Sequence, residues 1–305
     1  MFVIAAPGQG SQKPGFLEPW LDHRDFRDQL ASWSAAIGVD LVTHGTTSDL
    51  ETITDTAIAQ PLIVAAGIMT GRALLAALPP ATSLQMAGHS VGEFTAAALA
   101  GVLSDEDALR LVALRGRAMA EASALEPTGM SAVLGGEPED LEQALSHHGL
   151  FAANFNGGGQ TVIAGAKEAL ARFAEEPPAG TRVIPLSVAG AFHTPYMSSA
   201  VASLAAATAE TTPGEPQYPL YTNRDGSLVS SGATYVSYLV DQVARPVRWD
   251  SCMDSFASNA ITGMMELAPA GALTGLAKRG LKGVPTVAIN SPEDIASALD
   301  LVTGA

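Results

Sequence analysis

Residues Gln85–Phe94 read QMAGHSVGEF, a serine between two glycines with a histidine just before it. The run ahead of it, SLQMAG, is short and apolar, as a buried strand would be. The run behind it, EFTAAALAG, favours helix. A G-x-S-x-G pattern between a strand and a helix is the setting of a nucleophile elbow, which pushes the serine hydroxyl out of the backbone. Gly88 and Gly92 lack a Cβ, so chain segments can pass close together at the turn. The helix that starts there points backbone N–H groups at any negative charge forming beside Ser90. The same pattern also suits an ordinary strand-to-helix turn.

Further buried strands are expected at FVIAA, RVIPLSV, YPLYTN, GMMELAP and TVAIN, with long helical patterns between several of them. Such alternation predicts an α/β fold with a largely parallel sheet, whose chemistry gathers beyond the carboxyl ends of the strands. The middle of the chain differs. Met130–Leu134 reads as a strand, EPEDLEQALSHHG as a helix, LFAANFN and QTVIAG as two strands joined at Gly157–Gly159, KEALARFAEE as a helix, and RVIPLSV as a strand. That β-α-β-β-α-β order is the ferredoxin-like motif. It predicts a small subdomain at residues 127–189, inserted into a large body made of 1–126 and 190–305.

With 305 residues, 47% of them hydrophobic, the chain can bury a full core. The single cysteine, Cys252, excludes an internal disulfide and fits a reducing, cytoplasmic location. The N-terminus has no basic region ahead of its short apolar run and reads as a first core strand. The apolar segment Ile58–Leu78 contains Gln60, Pro61 and Arg72 and reads as a buried helix, so no membrane partner is expected. A net charge of −15, with AKRGLKG (Lys278, Arg279, Lys282) as the one compact basic group, argues against nucleic acid as a partner.

Ser90 needs a base, and six histidines compete. His23 and His44 lie in polar surroundings. His147 and His148 close a helix, where a cation suits the dipole. His89 adjoins the serine and should diverge from it. His193, in GAFHTPY just past a strand, is the candidate base; a plain loop histidine is the other reading. No Asp or Glu near either motif stands out to fix its tautomer, so a backbone carbonyl or an amide side chain could serve. In the helix SDEDALRLVALRGRAMAEAS, the neighbours of Arg115 at three and four positions are Leu111, Val112, Ala118 and Met119. Arg115 therefore projects from the buried face and needs either a distant carboxylate or a ligand carboxylate as partner.

Taken together, APGQGSQ, QPLIVAAG, AGHSVGEF, LRGRAM, AANFNGGGQTVIAG, GAFHTPYM, RPVRW and ELAPAGALTGLAKR make the chain resemble the malonyl-CoA:acyl carrier protein transacylases. The resemblance implies a hydrolase-like α/β body with an inserted ferredoxin-like subdomain. It implies Ser90 as the acylated nucleophile, His193 as general base and acid, and an oxyanion hole from the backbone N–H groups of Gln9 and Val91. It further implies Arg115 as the holder of the malonate carboxylate, with Asn156 and Gln60 as substrate-binding residues. The backbone carbonyl at Arg248 would orient His193. Phe192, bulky and just before the histidine, implies selection of malonyl over branched acyl groups. The expected partners are malonyl-CoA and an acyl carrier protein, with Lys278, Arg279 and Lys282 as its docking patch. No cofactor beyond the coenzyme A thioester substrate is expected, and the chain is expected to act as a monomer. A serine esterase or thioesterase would share the elbow and histidine but would not need Arg115. A dinucleotide site at APGQGSQK is disfavoured because Lys13 stands where a third glycine belongs.

Overall fold

Two sheets organise the chain, and the sequence dictates their different character. The computed structural model describes residues 1–304. The strands are β1 (Phe2–Ala6), β2 (Leu84–Gly88), β3 (Thr128–Gly135), β4 (Phe151–Gly157), β5 (Gln160–Ala166), β6 (Thr181–Leu186), β7 (Val247–Arg248), β8 (Gly263–Glu266) and β9 (Thr286–Ala288). The first sheet has the order β2-β1-β8-β9 and every pair in it is parallel. Its strands are mostly apolar, with Gln85 and Glu266 as exceptions, and β2 and β8 are buried at every residue.

The second sheet has the order β6-β3-β5-β4-β7. Strands β3 to β6 pair antiparallel in the ferredoxin-like arrangement, with the helices Pro138–His148 and Lys167–Glu175 between them. The large body contributes β7, which pairs parallel with β4 and ties the second sheet to the rest of the chain.

The segment YPLYTN does not form a strand. It makes two isolated bridges, Leu220 to Met86 beside β2 and Tyr221 to Leu228. Pro216 and Pro219 have no backbone N–H to offer a ladder, which limits this stretch to a single bridge to the parallel sheet. The helix Thr56–Ala77 is long and apolar enough to cross a bilayer, but 78% of its most apolar window is buried inside the protein. It packs against the helices Gly92–Leu99 and Asp105–Ser123.

The strand ends place the chemistry. Gln9 follows β1 and Ser90 follows β2, so both sit beyond the carboxyl edge of the parallel sheet. At the end of β8 the buried Glu266 accepts from the N–H groups of Gly271, Leu273 and Thr274 at 2.9, 2.8 and 2.7 Å. It thereby fixes the start of the helix Ala272–Gly280, which carries Lys278 and Arg279.

Candidate active site

The turn after β2 is an elbow held by sterics and by one asparagine. A Cβ at Gly88 would collide with the backbone of Gly92 and Glu93, and one at Gly92 with the Ala6 carbonyl. Both positions of the motif therefore require glycine. Ser90 sits at φ 52°, in the left-handed region that a residue with a Cβ enters only under constraint. Asn223 supplies that constraint. Its Oδ1 accepts from the Ser90 N–H at 2.7 Å, and its Nδ2 donates to the Gly88 carbonyl at 2.7 Å.

His193 also has a positive φ, 61°. Its loop is pinned by the Ala191 N–H donating to the Thr128 hydroxyl at 3.0 Å and by the Thr194 hydroxyl donating to the Ala191 carbonyl at 2.6 Å. Two strained residues meeting at one point mark a place where geometry is imposed by the surroundings. The His193 Nε2 lies 2.7 Å from the Ser90 Oγ. Its Nδ1 donates to the Gln242 carbonyl at 2.8 Å, which leaves the Nε2 lone pair free to accept the serine proton. The group orienting His193 is therefore the carbonyl of Gln242, not that of Arg248. The Arg248 side chain instead pairs with Asp250 at 2.8 Å and lies over the Phe155 ring, facing a different cavity. Burial pushes the His193 imidazole down to about 3, with the Arg115 charge adding to the effect. The ring is neutral at pH 7, as a base must be.

Arg115 is 1% exposed and makes no ion pair among the described residues. Its partners are two neutral amide oxygens: Nη1 donates to the Gln60 Oε1 at 2.7 Å and Nη2 to the Gln242 Oε1 at 2.9 Å. Its Nε is a buried donor with no partner among the described residues. Burial lowers its pKa to about 10, which still leaves it cationic at neutral pH.

One cleft of about 650 Å³ gathers these groups. Ser90, His193, Arg115, Gln9, Val91, Phe192, Asn156 and Gln60 all line it, along with Arg279. The backbone N–H groups of Gln9 and Val91 are bonded to no protein acceptor among the described residues. The Asn156 amide is committed to the His89 ring at 2.8 Å and, through its Nδ2, to the Gln160 side-chain Oε1 at 2.9 Å. Residues 130–162 of the second sheet supply one part of the cleft wall, among them Met130, Ala132, Asn154 and Val162. Lys278 and Lys282 are exposed and do not line the cleft.

Sequence reasoning missed Asn223 and Gln242. Both lie more than 130 positions from Ser90 and sit in connecting segments without a motif. Gln242 lies six residues before Arg248, so the resemblance pointed to the right neighbourhood and the wrong carbonyl.

The sequence pattern of the family described as "Acyl transferase domain" matches residues 1–297. A malonyl CoA-acyl carrier protein transacylase of Mycobacterium tuberculosis is 48% identical over 296 residues, covering 97% of this chain and 98% of that protein. The chain belongs to the malonyl CoA-acyl carrier protein transacylase family. An Escherichia coli transacylase of the same description is 33% identical over 307 residues, covering 98% of this chain and 99% of that protein. Two solved transacylases agree in shape. The crystal structure of the M. tuberculosis transacylase has a TM-score of 0.95 at 47% identity and covers 98% of this chain and 99% of that one. A malonyl-transacylase in complex with its type II polyketide synthase acyl-carrier protein has a TM-score of 0.92 at 31% identity, with coverage of 98% and 99%. This transacylase chain is thus matched over nearly its whole length, both sheets included.

Proposed function

We propose that this protein transfers a malonyl group from malonyl-CoA to the phosphopantetheine thiol of an acyl carrier protein through a malonyl-Ser90 intermediate. The observation that carries the reading is the buried Arg115 guanidinium, with an unpartnered N–H, in the same cleft as the Ser90–His193 pair. A buried donor left unpaired costs about 1 to 3 kcal/mol, and a substrate carboxylate would remove that cost. A serine esterase has no use for such a cation.

In the first step the malonate carboxylate sits on Arg115, and His193 takes the Ser90 proton as the oxygen attacks the thioester carbon. The tetrahedral oxyanion lies on the N–H groups of Gln9 and Val91, an interaction worth about 3 to 4 kcal/mol per donor. The tetrahedral intermediate then collapses. The carbon–sulfur bond breaks, His193 returns the proton, and coenzyme A leaves. In the second step the carrier thiol gives its proton to His193 and attacks the malonyl-serine carbonyl. The serine leaves with that proton. Gln242 orients His193 through its carbonyl, and Gln60 holds Arg115. Asn156 fixes the His89 side of the cleft. Phe192, 6% exposed, crowds the acyl α-carbon and selects against a branch there. The reaction is complete without a metal or redox step.

Residues 1–126 and 190–305 form the catalytic body in this account, and 127–189 the small subdomain that lines the cleft with its sheet. The enzyme works as a monomer, since one chain supplies every group named, and in the cytoplasm, where a single unpaired cysteine suits the reducing conditions. The carrier protein docks on Lys278, Arg279 and Lys282, at the end of the helix whose Arg279 lines the cleft. The decisive comparison is the lifetime of the acyl-serine in water against its lifetime with a pantetheine thiol. A long life in water and rapid discharge by thiol are expected; rapid hydrolysis would make the protein an esterase.

A further inference from the structure

Glu93 follows the serine by three positions, is 1% exposed, and does not line the catalytic cleft. It lines a second cavity of about 430 Å³ with Asn223 and Gln242. Its carboxylate accepts from the Asn223 N–H at 2.8 Å, from the Tyr235 hydroxyl at 3.3 Å, and from the side-chain amide of Gln242.

Gln242 is a fork. Its Nε2 donates to Glu93 and, at 3.1 Å, to the Ser90 carbonyl, while its Oε1 accepts from the Arg115 Nη2 at 2.9 Å. An ionised carboxylate only accepts hydrogen bonds. Glu93 therefore draws the NH2 end of the amide toward itself and leaves the oxygen end for Arg115. We infer that Glu93 is a positioning residue: it sets the polarity of the Gln242 amide and so holds Arg115 in the pose that receives the acyl carboxylate, without touching substrate. This rests on the Arg115 clamp proposed above.

The chemistry of the fork gives the inference its consequences. Replacing the carboxylate oxygen that faces Gln242 with an NH2, or protonating it, sets donor against donor. The amide then turns over, the Arg115 Nη2 faces an N–H, and the Ser90 carbonyl loses its donor. Burial raises the Glu93 carboxyl to about 7, so both states are reached near neutrality. The ionisable groups around it are displaced from that range. Arg115 stays at about 10, Tyr235 and Cys252 are pushed well up by burial, and His193 is pushed down to about 3. His89, beyond the serine, is lowered by burial. From the cavity side Glu93 is faced by Arg224, Arg245, Arg248, Asp225 and Asp241.

The test measures kcat/KM for malonyl-CoA and for acetyl-CoA, which has no carboxylate, in wild type, Arg115→Ala and Glu93→Gln. Glu93→Gln should lower the malonyl-to-acetyl ratio by about tenfold, the cost of one hydrogen bond to a charged group. In wild type the same ratio should fall as the pH drops through about 7, and Glu93→Gln should abolish that dependence. If Arg115→Ala fails to discriminate the two acyl groups, the clamp itself is wrong. If Arg115→Ala discriminates and Glu93→Gln reduces both transfers equally, Glu93 is merely structural and the inference is overturned. Should Glu93→Gln not fold, the wild-type series decides: a ratio flat across neutrality overturns the inference, and a fall on acidification supports it.

Discussion

Ser90 and His193 meet with both backbones in the left-handed region, at φ 52° and 61°. Neither conformation is cheap for a residue with a Cβ, and each is maintained by bonds from distant segments: Asn223 onto Ser90, Thr128 and Gln242 onto the His193 loop. The burial that keeps His193 neutral also has a thermodynamic signature. An unfolded histidine takes up a proton below its ordinary 6.5, whereas the folded site resists until about 3. Its contribution is therefore complete above pH 6.5 and is lost as the pH falls through that window. Glu93 has the opposite sign, since its raised value favours the folded state at low pH and loses that advantage as the pH rises from 4.5 to about 7. The Glu93 effect is common to wild type and a His193→Gln variant and cancels in their difference. Denaturant unfolding should show the variant gaining on wild type by several kcal/mol between pH 6.5 and about 3. A difference independent of pH would mean that His193 is not shielded. At this scale the sequence made Ser90, His193 and Arg115 visible, because each sits in a local pattern: a glycine bracket, a small-residue loop, an apolar helix face. Gln242 and Asn223 have no such pattern. Their roles exist only once chain segments far apart in sequence are brought together.

Strand β2, the elbow and the helix Gly92–Leu99 form the element on which the site is built. The helix can begin beside β1 only because Gly92 lets the Ala6 carbonyl approach. Gly92→Ala should therefore destabilise the protein by about 3 kcal/mol, the cost of overpacking a filled site. It should also slow acylation by displacing the Val91 N–H. An unchanged melting temperature would show that the contact is not tight. The core strands and the β-α-β-β-α-β order were readable because continuous apolar runs and helical spacing are local signals. YPLYTN misled because its apolar residues match a strand while its prolines deny it a ladder. The two-residue β7 went unseen, since a strand that short carries no periodicity and exists only through its pairing with β4.

Across the whole molecule the formal charge is −15, so an acidic carrier protein would be repelled at long range. In the proposed docking a local cationic patch offsets this, and Lys278 and Lys282 stand exposed by the cleft helix. Reversing both to glutamate should raise the KM for carrier protein by about tenfold, most strongly at low salt, and leave the KM for malonyl-CoA unaltered. An unmoved carrier KM would place docking elsewhere. Composition alone argued against a nucleic-acid surface, but it could not place Lys278 and Lys282 relative to the cleft, because that depends on how Glu266 seats the helix. The proposed transfer turns on one covalent event at Ser90. Intact-mass measurement after mixing with malonyl-CoA tests it most directly. Wild type should gain the mass of a single malonyl group, lose it on addition of a pantetheine thiol, and Ser90→Ala should gain nothing. An equal adduct on the Ser90→Ala protein would contradict the account.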